Sequence, residues 1–286
     1  MIKKIYLSYI TQWEKGQSYS MQVCYDFVSE RLRVDDYQGN MEEMVSMLKK
    51  LSKKSSFSKI IVKSRVEDWR FLLSKGFFLE GVIDNYFKGQ NAYFMAYYLS
   101  DKRRTSREWK KEDELIEKVY ELPTSSSVDP LPTEYTIRLA NVEDASALAS
   151  LYNQVFSSYP TPINDEMYIQ TAIREGSIFY VVEWDRSIVS AASAEVNTTY
   201  LNAEITDCAT LPGYRSYGFM KLLISKLEKE LVKRKIFCSY SLARAGSYGI
   251  NACLKKLDYK YNGRLTNNCS ISDKYENMNV WVKKLI

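Results

Sequence analysis

The stretch ATLPGYRSYGFMKLL, residues 209–223, constrains this chain more than any other. An apolar run of strand character ends in Pro212, Gly213, Tyr214, Arg215, Ser216, Tyr217 and Gly218. An amphipathic helix over 218–235 follows at once, with Phe219, Leu222, Leu223, Leu227 and Leu231 on one face. A strand that turns sharply into such a helix belongs in a layered α/β arrangement, because both elements have an apolar face to bury. The helix start leaves backbone N–H groups without partners and gathers positive partial charge. A turn that keeps side chains away aims those groups at an anion such as a phosphate. Arg215 adds charge, and Gly218 permits an approach that a Cβ would obstruct. A plain surface turn is the alternative, and RxxG by itself does not decide between them.

The elements around this turn alternate in type. YTIRLA (135–140) reads as a strand, Asn141 caps a helix through VEDASALASLYNQVF, and a second helical piece covers about 166–174. SIFYVVEWD, SIVSAASAEV and NAEITDCATL read as three strands, the first two joined by a tight turn at Asp185–Arg186. After the helix at 218–235 come a strand IFCSYSLAR, a helix over about 247–257, and the closing strands YKYNGRLTN and MNVWVKKL. The order β-α-α-β-β-β-α-β-α-β-β predicts a mixed sheet flanked by helices, an α/β (α+β) architecture.

The first hundred residues echo the second half. IIVKSRVEDWRFLLSKGFFLEGVIDNYF repeats the strand–helix–strand layout of SYSLARAGSYGINACLKKLDYKYNGRLTNN, with Phe77, Gly81 and Asn85 opposite Tyr259, Gly263 and Asn267 at a constant offset. NAYFMAYYL mirrors MNVWVKKL as the last strand. The counterpart of the 209–223 turn, DDYQGN before the helix MEEMVSMLKKL, carries two acids that would repel a phosphate. Residues 1–100 are therefore expected to be a degenerate copy without the anion loop, chance similarity being the alternative. Residues 101–133 join the halves, first as a charged, solvated helix in DKRRTSREWKKEDELIEKVYE and then as the Pro/Ser-rich linker LPTSSSVDPLPTE. Residues 134–286 form the second domain.

Composition narrows the chemistry. The 286 residues contain no histidine, which removes Ser-His and Cys-His nucleophiles, histidine bases and histidine-ligated metals. Proton transfers must use carboxylates, cysteine, lysine, water or some of the 23 tyrosines. Five cysteines without a CxxC pair suggest neither a zinc site nor a disulfide framework. A net charge of +5 with no basic stretch interleaved with aromatics argues against nucleic acid as a partner. The start MIKKIYLSYITQWEKG lacks a signal-peptide core, and no apolar run reaches roughly 18 residues, so a cytoplasmic protein without a membrane partner is expected. Oligomeric state is open, a homodimer included.

CATLPGYRSYGFMKLLISKLEKEL resembles motif A of the GNAT acetyltransferase superfamily, the (R/Q)xxGx(G/A) loop that holds the pyrophosphate of acetyl-coenzyme A. AEITDCA resembles the central strand of histone-type members, where a glutamate is the general base. EITDCATLPGYR, SLARA, NGRLTNNC and YENMNVWVK, with GFFLEGVIDNYFKGQNAYFMAYYL in the first half, are similar to the β-lysine N-acetyltransferase family over nearly the whole chain. The resemblance implies a GNAT fold, acetyl-coenzyme A as co-substrate without a metal, and a small-molecule amine as acceptor. It implies transfer to the terminal amine of β-lysine, giving Nε-acetyl-β-lysine, a compatible solute of osmoadaptation. Another small amine (polyamine, lysine, another amino acid) or a peptide, and a non-catalytic coenzyme A sensor, are the alternatives. Ser216 and Met220 stand where the superfamily usually has smaller residues, and Leu254 falls where its tyrosine acid usually lies.

Acetyl transfer to an amine needs a base, a donor for the developing oxyanion and an acid for the thiolate. Glu204 is the expected base, acting directly or through water. Asp207 is the second candidate, as base or as anchor for a substrate ammonium, although regular alternation points it the other way unless a bulge intervenes. Backbone N–H groups near Cys208 and Ala209 are the expected oxyanion donors, and Tyr248 the expected acid. Ala209, Thr210, Leu211, Arg215, Ser216, Tyr217, Gly218, Phe219 and Met220 are the expected cofactor contacts, joined by Ser247 and Asn251, for which helix capping is the competing role. For the acceptor, Arg244 is expected to hold a carboxylate with Asn267 and Asn268 in support, and an exposed Tyr159 to form the rim beside Asp207.

Overall fold

Gly81 and Gly263 lie at corresponding places in the two halves, and in the computed structural model they are the paired residues through which one half-sheet continues into the other. The structure describes residues 9–125, 130–271 and 274–285; the middle of the Pro/Ser-rich connection falls outside them. The first half runs β1 (Tyr9–Lys15), β2 (Tyr19–Asp26), β3 (Arg31–Gly39), α1 (Met41–Lys54), β4 (Lys59–Ser64), α2 (Trp69–Ser74), β5 (Phe78–Phe87) and β6 (Gln90–Tyr98). Two helices, α3 (Asp101–Arg104) and α4 (Trp109–Tyr120), lead to the second half. That half begins β7 (Tyr135–Leu139), α5 (Ala145–Val155), α6 (Glu166–Arg174), β8 (Ile178–Trp184), β9 (Ser187–Asn197) and β10 (Asn202–Thr210). It ends α7 (Phe219–Lys233), β11 (Cys238–Arg244), α8 (Tyr248–Lys256), β12 (Lys260–Ile271) and β13 (Lys274–Lys284).

Strand order makes the internal echo concrete. The first half-sheet runs β1-β2-β3-β4-β6-β5 and the second runs β8-β9-β10-β11-β13-β12, the same order in each, with β7 added beside β8. In each half a single parallel pair, β3 with β4 and β10 with β11, sits among antiparallel neighbours. The register slips also correspond: β5 shifts between Leu79 and Gly81 and between Ile83 and Phe87, β12 between Tyr261 and Arg264 and between Leu265 and Cys269. Asn85 and Asn267 each take a left-handed backbone at the second slip. Where β5 meets β12, a Cβ on Gly263 would lie 2.3 Å from the Glu80 carbonyl oxygen, so the junction requires a residue without one.

Packing follows from the amphipathic pattern. α7 buries Phe219, Leu223, Ile224, Leu227 and Leu231 on the second half-sheet, each large side chain contributing about 1.5–3 kcal/mol. α1 does the same in the first half with Met44, Val45 and Leu48. A third core crosses the junction, joining Ile61, Ile83 and Phe94 to Tyr240, Leu265 and Val280. The division at residue 100 thus cuts the chain without cutting the core. α4 is not the solvated connector its charges suggest, because Ile116 and Val119 enter the second core, Arg264 pairs with Asp113 at 2.7 Å, and Asn277 donates to a buried Glu112 at 2.7 Å. DDYQGN is not a loop: Asp35–Gly39 complete β3, and Asn40 caps α1 by accepting from the Glu42 and Glu43 amides.

Candidate functional site

A parallel strand pair that opens at one end creates a cleft, and β10 and β11 open early. They pair from Asn202–Glu204 to Cys238–Tyr240, and the Ser241 hydroxyl donates to the Ile205 carbonyl at 2.8 Å. On its other side β10 bulges: Thr206 pairs with Ser193 and Ala209 with Ala191, leaving Asp207 and Cys208 opposite Ala192 alone. Asp207 sits at φ +49° in this bulge. The strand therefore carries its backbone amides out of the regular ladder beside the cleft, where donors were expected near Cys208 and Ala209.

Beyond Thr210 and Leu211 the chain makes a short turn, and Arg215 bends back so that its Nε donates to the Thr210 carbonyl at 3.3 Å. Ser216 and Gly218 both adopt left-handed backbone, at φ +76° and +73°, around an exposed Tyr217. The site of a Gly218 Cβ is open space, and no side chain caps α7. Phe219 is buried, and Met220 packs against the core, clear of the crowding its size suggested. An uncapped 15-residue helix behind an open, exposed turn has free backbone N–H groups with which to receive an anion.

Beside β10 lies a cavity of about 530 Å³, open to solvent and lined by residues of both half-sheets. Glu204 and Thr206 of β10 and Glu195 of β9 line one wall, with Tyr159, Pro160 and Thr161 between α5 and α6 at the edge. The facing wall comes from the first half: Cys24 and Asp26 of β2, Arg31, Arg33 and Asp35 of β3, and Lys63 of β4. Strand alternation puts Arg31, Arg33 and Asp35 on one face. Four carboxyl groups (Asp26, Asp35, Glu195, Glu204) and three cations (Arg31, Arg33, Lys63) line the cavity.

The charges on the two walls differ in how they are paired. Arg31 Nε holds Asp26 at 2.9 Å. Asp35 is shared by Arg33 Nε at 2.8 Å and Lys63 Nζ at 2.9 Å. Burial alone would raise the Asp35 carboxyl, but these two cations overcome it and hold it below the usual carboxylate range. Across the cavity, Glu195 and Glu204 make no ion pair among the described residues, and Arg33 and Lys63 act on Glu195 only through space. Crowding by surrounding protein groups, then repulsion from Glu204 and Asp207, pushes the Glu195 carboxyl up, although its side chain is exposed to solvent in the cavity, which screens part of the effect. Asp207 is raised as well, first by burial and then by Glu204, although the Ser193 hydroxyl donates to it at 2.7 Å.

The expected residues separate into those that meet here and those that do not. Glu204, Tyr159 and Asn268 line the cavity, and the bulge turns Asp207 into electrostatic contact with Glu204. Tyr159 is half-buried against Phe156 rather than exposed. Arg244 does not reach the cavity lining; it pairs with Glu276 at 2.8 Å. Asn267 spends its amide on the carbonyls of Arg103 and Thr105, at 3.0 and 2.9 Å, and ties α3 to β12. Asn251 is fully buried and structurally committed: it donates to the Arg244 and Ser247 carbonyls and accepts from Asn279 and Trp281. Ser247 makes no capping bond, and Tyr248 is exposed at the start of α8 without lining the cavity. Leu254 is buried in the core, so nothing there replaces the missing tyrosine. Sequence reasoning missed Arg33, Lys63 and Glu195; alternation along RLRVDD and the pairing of Glu195 with Glu204 were the available signals.

Among the described residues, no group of three potential ligands is arranged to hold a metal ion, and no helix is long and apolar enough to cross a membrane.

Residues 146–247 match the model of the acetyltransferase (GNAT) family. The chain is 39% identical over 261 residues to the N-acetyltransferase YodP of Bacillus subtilis, covering 91% of this chain and 94% of that protein. It is 37% identical over 270 residues to the beta-lysine N(6)-acetyltransferase of Methanosarcina mazei, covering 87% of this chain and all of that protein. The crystal structure of an N-acetyltransferase from Staphylococcus aureus Mu50 superposes with a TM-score of 0.48 at 20% identity, over 54% of this chain and 100% of that one.

Proposed function

This chain belongs to the GNAT family of acetyl-coenzyme A-dependent N-acetyltransferases, and we propose that its acceptor is the terminal amine of β-lysine, acetylated in the cytoplasm to Nε-acetyl-β-lysine as a compatible solute. One observation carries this reading beyond the family. The cavity at Glu204 is lined on one wall by acids that have no ion pair among the described residues, and on the other by three cations set against two acids. A diamino acid, with two ammonium groups and one carboxylate, matches that distribution better than a polyamine without an anion. The name of the Methanosarcina mazei relative supports it.

The bound co-substrate supplies an activated acetyl thioester. The first turn of α7, with Arg215 and the Cβ-free position at Gly218, holds its diphosphate. The amides released at the Asp207–Cys208 bulge are the donors for negative charge developing on the acetyl oxygen. Glu204 takes the proton of the acceptor ammonium, directly or through water. That proton matters, because an ammonium of pKa about 10.4 costs about 4–5 kcal/mol to deprotonate at pH 7. Crowding the Glu195 and Asp207 carboxyls raises their basicity and narrows the gap to the amine. Glu195 and Asp207 then share and pass the proton toward the cavity. Tyr248 and Ser247 remain the nearest proposals on α8 for the thiol end.

A thiol-release assay with acetyl-coenzyme A and β-lysine, α-lysine or spermidine tests the acceptor. The expected result is a kcat/KM for β-lysine at least tenfold above the other two, roughly the value of one well-placed contact. Equal rates for all three would overturn the β-lysine assignment and leave the transferase in place.

A further inference from the structure

Arg33 uses only Nε on Asp35, and its Nη1 and Nη2 make no hydrogen bond among the described residues. Its side chain lines the cavity and is 35% exposed, while Lys63 is 8% exposed. Asp35, itself held by Lys63, engages the guanidinium through Nε and leaves Nη1 and Nη2 without a hydrogen bond among the described residues on a side chain that lines the cavity. Those two nitrogens form a two-point donor of the geometry that a carboxylate accepts. A second unused group lies on another element: Asn268 of β12 is 3% exposed, lines the same cavity, and its Oδ1 has no hydrogen-bond partner. A buried amide oxygen without a donor is costly unless a ligand supplies one.

We propose that the first half-sheet supplies the acceptor's head-group site, Arg33 binding the substrate carboxylate through Nη1 and Nη2 while Asn268 Oδ1 accepts from the ammonium beside it. The inference rests on the acetyl-transfer reading and deepens it. The acceptor class becomes an amino acid with a second, distal amine that reaches Glu204, and the arginine that selects it lies about 170 residues away in sequence, on β3. The first half is then part of the active site, since without β3 no forked donor faces Glu204 across the cavity. Lys63 and Asp35 act as positioning residues: together they fix the guanidinium so that little side-chain freedom is lost on binding.

The experiment uses the full chain with two amines that differ only in the carboxylate, β-lysine and 1,4-diaminopentane. Equilibrium binding by calorimetry and turnover by thiol release are both recorded for wild type, Arg33→Gln and Arg33→Lys, with thermal melting to confirm folding. Wild type is expected to prefer β-lysine by roughly 10²-fold. Arg33→Gln is expected to raise the KM and Kd for β-lysine by about that factor, with kcat changing little, so that the preference collapses. Arg33→Lys, which keeps charge but not the fork, falls between them. A wild-type chain that binds both amines equally overturns the proposal without requiring any variant, and so does an Arg33→Gln chain that keeps the preference. Wild type that binds β-lysine selectively but releases no thiol refutes the transferase reading while the binding assignment stands.

Discussion

Glu195 on β9 and Glu204 on β10 stand directly opposite each other in the antiparallel register, and both line the cavity between the half-sheets. Like charges so placed destabilise a sheet. A fold that retains them holds an acidic wall whose natural complement is an ammonium.

Replacing Glu204 by Gln keeps the shape and removes the base. Turnover of β-lysine should fall about 10²- to 10⁴-fold, as for loss of a general base, while coenzyme A affinity stays within about twofold. Thiol release and calorimetry measure the two. Unchanged turnover would move the proton acceptor to Asp207 or Glu195.

The raised carboxyls predict a pH dependence with a definite sign. The Glu195 and Asp207 carboxyls accept a proton only when ionised, so kcat/KM should climb with pH along a limb that these two raised groups set above the ordinary carboxylate range. In Glu195→Gln the more strongly raised of the two carboxyls is gone and Asp207 remains, so the limb should move to lower pH. Profiles from about pH 5 to about pH 9 decide it, and a limb that stays where it was removes Glu195 from the titrating group.

Stability should follow the same group. The Glu195 carboxyl is raised on folding, so its ionisation costs the folded state, and stability declines as pH rises above the unfolded value. Glu195→Gln should match wild type in acid, where both are neutral, and exceed it at pH 8 in urea unfolding by only about 0.5–1 kcal/mol, because the exposed Glu195 side chain is screened by solvent. A variant less stable at pH 8 contradicts this.

Gly263→Ala tests the junction. Its Cβ would lie 2.3 Å from the Glu80 carbonyl oxygen and 2.6 Å from Gly81 Cα, at φ +133°. A cost of about 2–4 kcal/mol is expected, from overpacking plus backbone strain. Gly81→Ala should cost less, since its nearest neighbour is the end of Val280, at 2.9 Å. Comparable melting temperatures for both variants and wild type would show that the half-sheets are not held here.

Asn251→Ala separates structure from cofactor binding. It strands the Asn279 amide and the Trp281 indole, which donate to Asn251 Oδ1 at 2.9 and 2.8 Å. A loss of about 2–4 kcal/mol follows, with KM for acetyl-coenzyme A unchanged in the folded fraction. A raised KM at intact stability would restore the residue to the cofactor cleft.

Much of the architecture was legible in the order of residues. Period-two and helical repeats located the strands and helices, because each element must bury an apolar face wherever it ends up. The Asp185–Arg186 hairpin shows the same legibility: both residues take the positive φ that a two-residue hairpin requires. Glu204 and the turn at Arg215–Gly218 were found because strand alternation and helix-start electrostatics are local properties.

What stayed hidden were relations across long separations. Arg244 and Arg33 look equally suitable in the sequence; Glu276, eight residues from Asn268, occupies one and leaves the fork of the other free. Asn267 and Asn268 are neighbours, yet one ties down α3 and the other lines the cavity, because the β12 slip turns successive side chains to different surroundings. DDYQGN read as a failed phosphate loop, whereas β3 continues through it and sets Arg33 and Asp35 across from Glu204. The sequence by itself determined most of the strands and helices and the uncapped start of α7, which are local properties. Only the joining of two half-sheets at a pair of glycines decided which charges face one another, since electrostatic pairing depends on distance in space and the chain encodes that distance nowhere locally.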